Sequence, residues 1–358
     1  MPEPLERDLE RTRSQIRGWL RGKLPGAEDL QLSELTAPEG SGFSNDTLLF
    51  DLTWSEGNVS RQQSLVVRIH PSGFPIFPFY DVGKQYRVMK IIGENSDVPM
   101  PRMYWNEEDP EIIGAPFFVM ERMEGRVPPD SPLYHVGGFL TELSEAERAA
   151  IWLNGIEVMT RIHKLDPQKL GLEFLALPHL GATPFEQHLT YYERYLEWAA
   201  GGRPQPIAEA ALEWLKRKIP EEGPTAISWG DSRIGNIMFR DCVPSAVLDW
   251  EMVTLGDPEQ DLAWYLFFDQ VVSAGVGLPR LPGLPSREAS VVHYAELMGR
   301  EVKHLHFYEV WAGFRFAVIM IRLTQRGVGA GLTTPEAVHE REKDNMVTAV
   351  LAELLVES

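Results

Sequence analysis

The stretch ISWGDSRIGNIMF, residues 227 to 239, decides how this chain is read. A Gly-Asp pair follows a bulky apolar run, and Asn236 stands five residues after Asp231. Ten residues beyond Phe239 comes a second isolated acid, Asp249, in AVLDWE (246 to 251). A carboxylate beside strand-like apolar segments is costly to bury without a partner. The pattern therefore asks what neutralises these charges.

Phosphoryl transfer from ATP supplies one answer. It needs a carboxylate to take or orient the proton of the attacking hydroxyl, and an Asn and a second Asp to hold the Mg²⁺ that bridges the phosphates. Asp231 and Asn236 have the Asp-x4-Asn spacing of such a loop, and Asp249 ends the next strand of a hairpin. A metal and a triphosphate would then fill the space between the acids. The plainer reading is that Asp231 and Asn236 cap turns, which both residue types favour. Four residues in order with matched flanks, Asp231, Asn236, Asp249 and Asp261, weigh against it.

The rest of the composition narrows the classes. The 358 residues leave room for a bilobed enzyme with a sizeable core. Lys+Arg 34 against Asp+Glu 52 gives a net charge of −18, which argues against nucleic acid as the main partner, since phosphate backbones are bound by basic surfaces. Cys242 is the single cysteine, so no internal disulfide and no thiolate metal cluster is expected. The charged start, MPEPLERDLERTR, is unlike a secretory signal. No apolar run approaches the roughly 18 residues of a membrane span, and even WAGFRFAVIMI is broken by Arg315. A cytoplasmic protein is expected.

Periodicity divides the chain in two. Helical spacing over 5 to 23 is followed by strand-like LQLSELT, TLLFDLTW and SLVVRI, a Pro- and Phe-rich loop (70 to 81), a helix over 82 to 93, and strands in PRMYW and PFFVMER. After the proline-marked linker MEGRVPPDSP, helices are predicted over 144–165, 184–200 and 206–218, then a β-rich island at 225–249. DPEQDLAWYLFF restarts helix with Asp257 as N-cap and Pro258 in the first turn, and further helices are predicted over 286–299, 303–327 and 335–356.

WGDSRIGNIMF and AVLDWEMVTLGDPEQDLAW resemble the aminoglycoside phosphotransferase (APH) and choline kinase-like family, whose pattern is His-Gly-Asp-x4-Asn followed by Asp-Trp-Glu or Asp-Phe-Gly. The match is tightest over 228 to 264 and extends loosely from residue 30 to about 350. The resemblance implies an α+β, two-lobed protein-kinase-like fold. A small antiparallel sheet lobe (1–122, nucleotide-binding) would precede a larger, mainly helical lobe (123–358, catalytic and substrate-binding). It implies Asp231 as catalytic base, Asn236 and Asp249 as Mg²⁺ ligands, and Asp261 as the buried acid that fixes the loop's backbone. EGSGFSND stands where the family's nucleotide-covering loop lies, with Ser44 and Asn45 against the phosphates. In FFVMERMEG, Glu121 C=O and Met123 N–H would meet adenine.

The departures from the family are specific. Arg68 in LVVRI stands where a phosphate-pairing lysine is expected, and Gln85 in GKQYRV replaces its glutamate. Arg can clamp phosphate bidentately; a surface strand position is the bland alternative. Trp229 replaces the family's histidine. Arg233 either contacts phosphate or pairs with a loop acid, and His163 reads as a hydrogen-bonded core histidine. The implied function is ATP- and Mg²⁺-dependent O-phosphorylation of a small molecule. The acceptor is an aminoglycoside, another amino-alcohol or sugar, or a hydroxyacyl compound, as for related domains fused to acyl-CoA dehydrogenases. The rival is a catalytically silent binding module. Acid-rich runs in the helical lobe, LTELSEAE, YYERYLEW and IPEEG, would favour a cationic acceptor if they face its pocket.

Overall fold

The computed structural model describes residues 7–38, 46–221 and 223–356. Ser44 and Asn45 lie outside the described residues. The chain forms two compact units. One comprises 1–75, 79–94 and 100–124; the other comprises 76–78, 95–99 and 125–358.

The first unit is a twisted antiparallel sheet with a helix on each face. Its elements are α1 (Leu9–Lys23), β1 (Glu28–Leu32), β2 (Asp46–Glu56), β3 (Val59–Ile69), α2 (Val82–Asn95), β4 (Met103–Glu107) and β5 (Phe117–Glu121), with strand order β1-β2-β3-β5-β4. The alternation in β2 and β3 explains the layering, because side chains two apart share a face. Leu48, Phe50 and Leu52, Leu65, Val67 and Ile69, and Phe117 and Val119 form one buried face, covered by Ile16 and Leu20 of α1. Trp19 of α1 meets Phe117 edge-on, with ring centroids 4.8 Å apart. The opposite face carries Val66, Arg68, Phe118 and Met120, and Tyr86 of α2 lies 6.1 Å from Phe118 there.

The second unit is built around one long helix. Its helices are α3 (Glu145–His163), α4 (Pro184–Ala200), α5 (Pro206–Arg217), α6 (Glu259–Val272), α7 (Arg287–Met298), α8 (Leu305–Gly329), α9 (Val338–Lys343) and α10 (Met346–Val356). α8 packs against α4, α5, α6, α9 and α10, which is why its sequence is apolar almost all round. Four short strands interrupt the helices: β6 (Ala226–Ser228) pairs with β9 (Thr254–Gly256), and β7 (Ile237–Arg240) with β8 (Val243–Val247). Capping boxes start α3 at Ser144/Glu147 and α4 at Thr183/Glu186.

Three sequence expectations change. The first strand ends at Leu32, and only an isolated bridge, Thr36 to Leu49, continues it. The helix expected over 335–356 is two, because Asn345 stops α9 and caps α10 by accepting from Val347 N–H and Thr348 N–H. At α6 the cap position is Pro258, although the Asp257 side chain still accepts from Glu259 N–H at 2.9 Å. In the loop 70–81, Ile76 and Phe77 are buried in the second unit, where Tyr195 Oη donates to Ile76 C=O. Among the described residues no helix is long and apolar enough to cross a membrane.

Leu48 is fully buried at the centre of the sheet unit. Leu48→Ala should cost about 2–5 kcal/mol, the range for an aliphatic truncation in a core that cannot collapse. Denaturant titration of variant and parent measures it, and a loss under about 1 kcal/mol would show that the site repacks.

Candidate active site

β6 delivers the chain to the loop 229–236, and Asp261, in the first turn of α6, holds that loop in place. Its side chain is fully buried. It accepts from Trp229 N–H at 2.7 Å, Gly230 N–H at 3.0 Å and Ser228 Oγ at 2.8 Å, and His163 Nε2 lies 3.0 Å away. Ser232 Oγ closes the circuit by donating to Asp261 C=O at 2.8 Å. Burial alone would push this carboxyl towards protonation, but the bonds from His163, Ser228 and Gly230 outweigh it and hold it below the usual carboxylate range. The other ring nitrogen of His163, Nδ1, lies 2.8 Å from Tyr294 Oη, so this histidine belongs to the buried network.

Gly230 is required for two reasons. Its φ is +93°, and a Cβ there would fall 2.1 Å from Met252 O, so any side chain meets both strain and backbone. Its carbonyl accepts from Arg315 Nη2 at 2.9 Å. Arg315, buried in the middle of α8, has its guanidinium 4.6 Å from the Trp264 ring and 5.3 Å from Tyr192.

Asp231 is thereby presented with both oxygens engaged. Oδ1 accepts from Trp264 Nε1 at 2.9 Å. Oδ2 accepts from Asn236 Nδ2 at 2.6 Å and faces Arg233 Nε at 3.4 Å. Burial raises its pKa, Arg233 opposes that, and the negative charge of Asp249 adds to it, for a net rise. Arg233 Nη1 pairs with Asp130 at 2.6 Å, and the guanidinium lies 4.8 Å over Phe268. Burial works against its charge, but Asp231, Asp130 and Asp249 more than compensate. The guanidinium thus pairs with the two acids beside it.

Asp249 is brought close enough for its charge to act on both Asp231 and Arg233. It sits at φ +58°, a region that non-glycine residues visit rarely and often at functional sites. The residue before it is clamped: Leu248 N–H donates to Asn236 C=O at 2.9 Å, and Leu248 C=O accepts from Trp229 Nε1 at 2.8 Å. The indole that replaces the family's histidine thus ties the loop to the backbone beside Asp249. The β7–β8 hairpin carries the chain between Asn236 and Asp249, turning at Asp241 and Cys242, both with positive φ. No Asn-Gly or Asp-Gly in the sequence signals that turn.

The donor set suits a hard cation. Asn236 spends its amide N–H groups on Asp231, on the carboxylate and on the backbone C=O at 2.9 Å. Its carbonyl oxygen Oδ1 takes no part in those bonds. Asn236 Oδ1 and the Asp249 carboxylate are oxygen groups of the kind that hold Mg²⁺, which commonly takes one or two such groups plus substrate phosphates. Among the described residues no group of three or more His, Cys, Asp and Glu side chains is placed to hold a metal, so a dedicated protein cage is not on offer there.

In the sheet unit, Arg68 lies in β3 opposite Phe118, partly exposed, and Gln85 is buried in α2. Glu121 ends β5 with its N–H on Arg102 C=O, and Met123 follows two residues later. The structure brings Asp231, Arg233, Asn236 and Asp249 together within one unit. Sequence reading missed Asp130, Trp264 and Arg315. Trp264 stands three residues after Asp261, on the same helical face. Arg315 interrupts an apolar run, the signature of a buried charge with a partner. Asp130 carries no sequence signal.

A model of the phosphotransferase enzyme family (APH) matches residues 36–306. The chain is 28% identical to "Probable acyl-CoA dehydrogenase IBR3" of Arabidopsis thaliana over 89% of its length. It is 29% identical to acyl-CoA dehydrogenase family member 10 of Mus musculus over 82%. It spans only 39% and 27% of those proteins. Among solved structures, a Ralstonia eutropha protein provisionally named an aminoglycoside phosphotransferase superposes with a TM-score of 0.67 at 24% identity, covering 95% of this chain and 98% of that one. Aminoglycoside phosphotransferase APH(4)-Ia, in ternary complex with ADP and hygromycin B, gives 0.51 at 15% identity, with 95% and 98% covered. These likenesses establish the protein-kinase-like α+β fold expected from the sequence.

Asp261→Ala would leave His163, Ser228 and two backbone N–H groups without their buried acceptor, and should destabilise the chain by about 3–5 kcal/mol near neutral pH. Because the folded carboxyl titrates below its unfolded value, its contribution is fully present above the unfolded pKa and is lost as pH falls through the folded one. Urea titrations should therefore show the gap between variant and parent narrowing in acid. A gap independent of pH would mean that the charge is not what stabilises the loop.

Proposed function

The chain belongs to the phosphotransferase enzyme family, and from that premise we propose that it transfers the γ-phosphate of ATP to a hydroxyl of a small molecule in the cytoplasm. The observation that carries the proposal is Asp231. Its carboxylate is oriented by Trp264 and Asn236, and its pKa is raised by burial and by Asp249. A general base works best when its pKa approaches the working pH, and this environment moves a carboxylate in that direction. The acceptor oxygen forms the new O–P bond, the bond from Pγ to the ADP oxygen breaks, and the hydroxyl proton passes to Asp231. Arg233, anchored on Asp130, sets the charge around that carboxylate.

Asn236 Oδ1 and the Asp249 carboxylate would hold Mg²⁺, which when bound neutralises charge on the phosphates. Trp229 and the clamped Leu248 keep Asp249 in its strained, preorganised conformation. On the nucleotide side, Arg68 would clamp phosphate in place of a lysine, Glu121 C=O and Met123 N–H would meet the adenine edge, and Ser44 and Asn45 would cover the phosphates. APH(4)-Ia in complex with ADP supports nucleotide use.

Three of the acids that suggested a cationic acceptor are engaged elsewhere. Glu142 pairs with Arg126, Glu147 closes the α3 capping box, and Glu193 pairs with Lys216. The relatives named as acyl-CoA dehydrogenases make a hydroxyacyl-CoA acceptor the main alternative to an aminoglycoside or sugar. Arg68, Gln85 and Trp229 favour a second reading, a silent module that binds nucleotide without transfer.

Asp231→Asn should lower phosphate transfer by about 10²–10⁴-fold while MgATP affinity stays near that of the parent. Turnover close to the parent's would remove Asp231 from the role of base. Asp249→Ala should abolish Mg²⁺-dependent ATP binding, and Asn236→Ala should weaken it less, because a carboxylate brings full charge and an amide only a dipole. Calorimetry with MgATP checks both, and unchanged affinity in Asp249→Ala would put the metal elsewhere. MgATP binding with no transfer to any acceptor in a panel of aminoglycosides, sugars and hydroxyacyl-CoA compounds would favour the silent module.

A further inference from the structure

Arg315, in the middle of α8, is the one lysine or arginine buried among the described residues, at 2% exposed. A charge taken out of water is ordinarily matched by one of opposite sign. No carboxylate among the described residues forms an ion pair with Arg315, and its Nε is buried without a hydrogen-bond partner. Its surroundings are aromatic instead. The guanidinium lies 4.6 Å from the Trp264 ring, 5.3 Å from Tyr192 and 5.7 Å from Trp311. Rings attract a guanidinium, more strongly where water is excluded, but they do not neutralise it. Replacing buried ionic groups by apolar side chains of similar volume is often neutral for stability, so the reason for this one lies in what it holds.

What it holds is a single peptide group. The peptide before Gly230 is fixed by Asp261, which accepts from Gly230 N–H at 3.0 Å. The peptide after Asp231 is fixed through Asp231 C=O, which accepts from Arg233 N–H at 3.0 Å and from Asn236 Nδ2 at 2.9 Å. The peptide between them, joining Gly230 to Asp231, is held through Gly230 C=O, which accepts from Arg315 Nη2 at 2.9 Å. An anion thus takes one side of Gly230 and a cation the other. Gly230 has φ +93° and no Cβ to resist rotation. The orientation of the middle peptide, and with it the direction in which the Asp231 side chain leaves the backbone, therefore depends on the cation. The same guanidinium lies against the Trp264 ring, whose Nε1 donates to Asp231 Oδ1 at 2.9 Å. One side chain on α8 steadies both the backbone and the carboxylate of Asp231.

We propose that Arg315 is a positioning residue for phosphoryl transfer: through Gly230 C=O and the Trp264 ring it fixes where the Asp231 carboxylate points, without touching nucleotide or acceptor. The inference rests on the proposed phosphotransfer for its effect on turnover; its effect on the geometry of Asp231 does not.

The test has an arm for each. Selective ¹⁵N labelling of tryptophan in the full chain, with Trp264→Phe to assign the signal, follows the Trp264 indole N–H. In Arg315→Met this N–H should exchange with water at least about tenfold faster than in the parent, because the loop opens locally more often. MgATP hydrolysis, in which water takes the acceptor's place, supplies the second arm. Its kcat should fall by about 10²-fold, the scale expected of a misplaced reacting group, while KM for MgATP stays within about twofold of the parent's. Arg315→Lys keeps the charge and a donor but not the planar fork on Trp264. It should fall between parent and Arg315→Met in both arms, and it carries the test alone if the methionine variant does not fold. Exchange like the parent's, or kcat like that of a parent that hydrolyses ATP, overturns the proposal. So does a loss of kcat that vanishes once rates are taken per folded molecule, counted by ADP binding. Faster exchange in the variants, with no hydrolysis even by the parent, would sink the phosphotransfer reading and keep the hold on Asp231.

Discussion

The arrangement of the helical unit depends on one buried negative charge. Asp261 has been taken out of water at a cost that only good hydrogen bonding can offset. Its partners are the groups whose positions matter most: the N–H groups of Trp229 and Gly230, the hydroxyl of Ser228 and the imidazole of His163. Because each would be left unsatisfied if the loop moved, the loop has one low-energy position. Gly230 conforms to it because a side chain would collide with Met252 O. Asp231, the next residue, is aimed by that constraint before Trp264 and Asn236 orient its oxygens.

Around Asp231 the charges are balanced so that none is fully neutralised. Arg233 could have formed a tight pair with Asp231, but Asp130 draws it away, lying at 2.6 Å against 3.4 Å for Asp231. Asp249 adds negative charge, and Asp231 ends with a raised pKa in spite of the neighbouring guanidinium. Such unresolved electrostatics cost stability and are typical of sites built for a ligand. Asp249 adds a second cost, a left-handed backbone held in place from both sides through Leu248. Elsewhere in this unit two buried acids are paired where they stand: Arg203 and Gln325 donate to Glu342, and Arg287 donates to Glu309.

Much of this was legible in the sequence. The period-2 alternation of residues 47–54, the helical spacing of the second half and the breaks at proline placed most strands and helices. Local signals such as these act over a few residues, so they survive without tertiary context. The spacing of Asp231, Asn236, Asp249 and Asp261 pointed to the site for the same reason, since it lies on one short β-rich segment. The misses were non-local or turned on competing caps. Asn345 split a periodic helix by offering its own side chain to the backbone. The turn at Asp241–Cys242 adopts positive φ without glycine because the hairpin imposes it.

The sequence by itself determined the order of most elements and, through its resemblance to the phosphotransferase family, the fold class, and it singled out Asp231, Asn236, Asp249 and Asp261 as candidates because they lie close together in one segment. Only the tertiary structure decided which charges meet. The contacts Asp130–Arg233, Trp264–Asp231 and Arg315–Gly230 join residues that are 103, 33 and 85 positions apart. The acid-rich runs, read as a set, suggested a surface for cations, yet three of their glutamates became caps and ion pairs. Net charge is a sum over residues, whereas the field in a cavity depends on which of them face it and which have already been paired.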